Sequence, residues 1–106
     1  MSDKLPPKIL VVEHDEQMNA ILCNTIERYW FDVTRARNSE AALRLAYVNM
    51  PNAVIISSRL QDVSAIEMAG RLKKIEGLQS LPIIFLVNQG ESVQHYNING
   101  DNSHKI

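Results

Sequence analysis

Short, wholly apolar runs in this chain alternate with longer stretches in which apolar residues return every third or fourth position. Lys8 to Val12 (KILVV) is too short for a helix, rich in β-branched residues and preceded by Pro6 and Pro7. That pattern predicts a strand buried on both faces. After the polar stretch EHDE, the residues Met18, Ile21, Leu22, Thr25, Ile26 and Tyr29 recur at helical spacing and predict one continuous helix face. Phe31 to Arg37 (FDVTRAR) alternates instead, with Phe31, Val33, Arg35 and Arg37 on one side. It predicts an edge strand whose charges discourage further pairing.

Asn38 or Ser39 can cap the following helix, SEAALRLAYV, with Ala42, Leu43, Ala46 and Tyr47 as its buried stripe. Pro51 and Asn52 break that helix ahead of a third strand, which begins at Ala53 and ends on Ser57 and Ser58. Ser64 and Glu67 stand at capping-box spacing before a helix with Ile66, Ala69, Leu72 and Ile75 on one face, and Gly77 offers a stop. Pro82 to Val87 (PIIFLV) predicts a fourth strand, its proline at the first position where a missing N–H matters least. From Asn88 onward the chain is rich in Asn and Gly, and a helical turn over Glu91 to Tyr96 is the one element the pattern offers.

Alternating strands and helices with short connections predict parallel βαβ units with helices on both faces of an open α/β sheet. In such sheets functional groups gather beyond the carboxyl ends of the strands. That points to Glu13–Glu16, Ser57–Asp62 and Val87–Gly90.

Composition narrows the function classes. At 106 residues the chain is one domain, with a core predicted over residues 1–90 and an atypical tail over 91–106. Eleven basic against 12 acidic side chains, a formal charge of -1, leave no electrostatic footprint for nucleic acid or an anionic membrane. The N-terminus MSDKLPPKIL has no apolar stretch of signal or spanning length, and Cys23 is the single cysteine, so a reducing cytoplasm is the expected setting. Cys23 lies in a helical pattern without Cys or His at ligand spacing and is read as a structural residue.

Taken together, KILVVEHDEQM, FDVTRARNSEAALRL, PNAVIISSRLQDVSAIEMAGRLK and LPIIFLVNQGE resemble the receiver domain of bacterial two-component response regulators, over Lys8 to Glu91 without a gap. The resemblance implies a flavodoxin-like open parallel sheet in the order 2-1-3-4, with the family's fifth strand and helix missing or replaced. It also implies the family's chemistry. An aspartate after β3 accepts a phosphoryl group with the help of Mg²⁺ held by two acids after β1, while a hydroxyl residue after β4 and a lysine after β5 bind the phosphoryl oxygens.

Carried over position by position, Glu13 matches the first acid, but His14 occupies the second, Ser57 the acceptor position and Val87 the hydroxyl position. The lysine has no counterpart. Mg²⁺ takes oxygen ligands in near-octahedral geometry, so a carboxylate beside an imidazole and a hydroxyl is a poor site. A serine hydroxyl needs a neighbouring base and would give an ester rather than a labile acyl phosphate. Valine lacks the donor through which a phosphoryl group pulls on the loop after β4. The expectation is a degenerate phosphorylation pocket at Glu13, His14, Ser57 and Val87, with no metal or cofactor and no enzymatic activity.

Each of these residues also has a plainer role. Glu13, Asp15 and Glu16 place acids at the positive end of a helix, Ser57 and Ser58 end a buried strand, and Asp62 forms a turn. An apolar β4 without a fifth strand is an edge that pairs with something. The chain is therefore expected to dimerise or to sit on a partner protein through the β4 side, using Phe85, Asn88, Gln89, Gly90 and Glu91. Two alternatives stand beside it: a residual phospho-acceptor or metal site at Glu13, His14 and Ser57, and the input domain of a longer transcription regulator.

Overall fold

In the computed structural model, which describes residues 5–87, four parallel strands lie in the order β2-β1-β3-β4. The strands are β1 (Lys8–Val12), β2 (Asp32–Ala36), β3 (Ala53–Ser57) and β4 (Ile83–Leu86). They alternate with helices α1 (Glu16–Glu27), α2 (Ser39–Asn49) and α3 (Ala65–Lys73). Residues 88–106, and with them the predicted turn at Glu91 to Tyr96, the tail and the proposed contacts of Asn88 to Glu91, lie outside the described residues.

The order explains the layers. The chain steps from β1 outward to β2, then back across β1 to β3 and on to β4, and right-handed crossovers in opposite directions put helices on opposite faces. Ile9, Val11 and Cys23 form a core with Leu22, Ile26, Phe31, Val33, Ala53 and Ile55 beneath α1. Leu10, Val12, Val54 and Ile56 point the other way, into a larger core with Ala42, Ala46, Met68, Ala69 and Leu72 of α2 and α3. Strands covered on both faces have no polar alternation, which is why KILVV reads as an unbroken apolar run.

Three features of the helices differ from the sequence pattern. On α1 the buried residues are Asn19 and Cys23, whereas Ile21 is 57% exposed and Tyr29 73% exposed beyond the helix end. The apolar stripe is rotated, because the helix turns a polar side chain toward the strand ends. On α2, Ala42 and Ala46 are buried but Tyr47 is exposed, the two alanines allowing close approach to the sheet. On α3 the buried line is Ala65, Met68, Ala69 and Leu72, with Ile66 only half-buried. The helix stops at Lys73, ahead of Gly77, whose φ of +93° turns the chain where a Cβ would meet Met50 Cε at 2.6 Å.

Candidate functional site

The direction of strand order reverses between β1 and β3, and in open α/β sheets the crevice at that reversal is where functional groups collect. Glu13 follows β1 and Ser57 ends β3, so both sequence-predicted residues reach it. Each is nearly enclosed, at 2% and 4% exposure, and each is already engaged by its own loop. Glu13 Oε2 accepts the Asp15 N–H at 2.8 Å, and Ser57 Oγ accepts the Arg59 N–H at 3.1 Å.

The flanking residues have structural work of their own. Asp15 caps α1, its Oδ2 accepting from the Met18 N–H at 2.7 Å. His14 is half-buried, and its carbonyl oxygen accepts from Arg37 Nε at 2.8 Å. Arg37 also reaches Glu16 at 3.8 Å across solvent, a distance at which an exposed pair adds little. Ser58 ties the start of the next loop to β4, its N–H donating to the Leu86 carbonyl at 2.8 Å.

Val87, just past β4, is 44% exposed. Phe85 packs against the larger core, while Ile84, on the opposite face of β4, is 51% exposed. Among the described residues no group of three or more His, Cys, Asp or Glu is placed to hold a metal ion. Within those residues, no helix is long and apolar enough to cross a membrane.

Two features of the rim escape the periodicity of the chain. Asn19 is 1% exposed and donates through Nδ2 to the carbonyl oxygens of Glu13 and Ala36. Its Oδ1 accepts from the Cys23 thiol at 3.3 Å, and burial pushes that thiol pKa up, with Glu27 adding to the shift and Arg35 opposing it. The second is Asp62, whose Oδ2 accepts both the N–H and the hydroxyl of Ser39. Those bonds, the hydroxyl's foremost, hold the Asp62 carboxyl below the usual aspartate range.

Over residues 9–99 the sequence matches the family model described as the response regulator receiver domain. It is 38% identical over 86 residues to the phosphate regulon transcriptional regulatory protein PhoB of Rhizobium meliloti, covering 80% of this chain and 37% of PhoB. It is also 29% identical over 80 residues to the polar-differentiation response regulator DivK of Brucella anthropi, covering 76% of this chain and 65% of DivK. The fold is similar to that of a putative response regulator from Chloroflexus aurantiacus, with a TM-score of 0.75 at 28% identity, covering 81% of this chain and 70% of the other. This chain thus spans less than two thirds of the length of either curated relative.

Proposed function

This chain belongs to the response regulator receiver family, and from that premise we propose that it is a pseudo-receiver that signals without phosphorylation, through protein–protein contacts. The observation that carries the reading is the pairing of Glu13 with Asp15 and of Ser57 with Arg59. The single carboxylate at the strand ends is turned onto its own loop, and a hydroxyl stands where the family's acceptor carboxylate would be. Two missing carboxylates, at His14 and Ser57, and a missing hydroxyl, at Val87, affect metal binding, phosphoryl acceptance and readout together.

A soluble interaction module over residues 1–90 in a reducing cytoplasm fits the charge balance and the lone buried thiol. Its contact surface is placed on the β4 side, where Ile84 and Val87 are exposed beside Phe85. The occupant is a second copy or a partner protein.

Intact mass after incubation with Mg²⁺ and a small phosphodonor tests the chemistry. The expected result is an unchanged mass, with no heat of Mg²⁺ binding by calorimetry. A gain of one phosphoryl group, or a beryllofluoride adduct in the crevice, would return the site to phosphotransfer. Light scattering tests the contact surface, because a well-folded monomer at high concentration removes dimerisation.

The likeness to PhoB, a transcriptional regulatory protein of which this chain covers 37%, favours a second reading in which the same module is the input part of a longer transcription regulator. A helix-turn-helix pattern in the gene sequence downstream of Ile106 decides it.

A further inference from the structure

The loop from Ser58 to Ser64 is tied down at several points by hydrogen bonds of the protein itself. Its first residue bonds to β4 through Leu86, Arg59 bonds back to Ser57, and Ser64 caps α3 by accepting the Glu67 N–H at 3.0 Å. The midpoint tie is to a different element altogether. Asp62 Oδ2 accepts the Ser39 N–H at 2.9 Å and the Ser39 hydroxyl, and Asp62 Oδ1 accepts the Val63 N–H at 3.1 Å.

Ser39 is the first residue of α2, so its N–H is one of the donors that a helix leaves without an internal partner. Asn38 caps the same turn through the Ala41 N–H at 2.8 Å and does not reach Ser39. Asp62 therefore supplies the complementary half of the cap from another part of the chain, and it places a carboxylate at the positive end of the helix. Ser39 itself is buried, at 6% exposure, so its hydroxyl is constrained in direction.

We infer that Asp62 and Ser39 form a latch that holds the β3–α3 loop against α2 in one conformation, giving the rim of the crevice a constant shape for a partner to read. The latch rests on the proposed phosphorylation-independent reading, in which the loop must be set by the protein's own groups.

Amide hydrogen exchange by NMR on the full chain tests it. Asp62→Ala is expected to speed exchange of the Ser39 and Val63 amides about tenfold, as loss of charge-assisted bonds implies, while the Val11 amide in β1 stays within about twofold. Ser39→Ala keeps the Ser39-position N–H and removes only the hydroxyl, so a smaller rise at Val63 is expected, and this variant serves if Asp62→Ala fails to fold. Loop amides in both variants matching those of the unaltered chain would overturn the latch. Adding Mg²⁺ and beryllofluoride to the unaltered chain separates the two ideas: an adduct defeats the phosphorylation-independent reading, whereas amide exchange in the Asp62 and Ser39 variants decides the latch.

Discussion

Asn19 and Glu13 are joined by a buried hydrogen bond, with Asn19 Nδ2 2.9 Å from the Glu13 carbonyl oxygen. The same amide reaches the Ala36 carbonyl at 3.0 Å, so one side chain on α1 ties together the ends of β1 and β2. The Ala36 oxygen also accepts the Glu13 N–H at 3.0 Å and keeps a partner if Asn19 is lost. The Glu13 oxygen loses the bond that Asn19 makes to it. Asn19→Ala is therefore expected to destabilise the fold by about 2–3 kcal/mol, from a buried acceptor stripped of a donor together with a small cavity. Urea unfolding followed by circular dichroism measures it, and a change within about 0.5 kcal/mol, typical of a surface site, would contradict the role given to Asn19.

The fold was legible in the sequence because apolar runs mark β1, β3 and β4, while the alternation of FDVTRAR marks β2 as an edge. Capping was legible too, since Asp15, Asn38 and Ser64 act within their own helices. What could not be read were contacts made by polar side chains across the fold. Asn19 breaks the apolar stripe of α1 and so reads as an outward position, yet it faces the strand ends. Asp62 and Ser39 are 23 residues apart with no local spacing to join them. The strand-end positions of Glu13 and Ser57 followed from the pattern and the family resemblance, but the way each folds onto its own loop did not.

Trp30 has a φ of 68° at the turn between α1 and β2 and is 65% exposed. The left-handed region costs a residue with a Cβ about 1–2 kcal/mol, whereas glycine enters it freely. Comparing Trp30→Gly with Trp30→Ala cancels the loss of the indole, and the glycine variant is expected to be the more stable by about 0.5–1 kcal/mol after its larger unfolded-state entropy is subtracted. Because Trp30 is the single tryptophan, thermal unfolding should be followed by circular dichroism rather than fluorescence. An alanine variant equal to or above the glycine variant would show that the backbone there is unstrained.

The Asp62 carboxyl is held below its ordinary range by the Ser39 hydroxyl and N–H, which favour the ionised form. A depressed carboxyl adds stability that is fully present above the unfolded value, ~3.9, and is lost as pH falls through the folded value. The stability difference between the unaltered chain and Asp62→Asn should be flat at neutral pH and shrink only below about pH 4. Chemical denaturation at stepped pH reads this. A difference that instead changes around pH 6–7, near the histidine range, would assign the effect to another group.

Refitting the crevice with carboxylates tests the reading of the site from the opposite direction. In His14→Asp combined with Ser57→Asp, three acids including Glu13 would stand at the ends of β1 and β3, close enough to raise one another's charging cost. Without a divalent ion the variant should be less stable than the unaltered chain, because Glu13 and position 57 are both nearly enclosed. Mg²⁺ relieves that repulsion by supplying the charge the oxygens lack. At a concentration tenfold above the dissociation constant, binding to the folded state alone adds about 1.4 kcal/mol. The expected outcome is a thermal midpoint that rises with Mg²⁺ in the variant and stays fixed in the unaltered chain, whose Ser57 hydroxyl and His14 imidazole give the ion little to hold. A Mg²⁺-dependent rise of equal size in both proteins would mean that the native crevice already binds the ion.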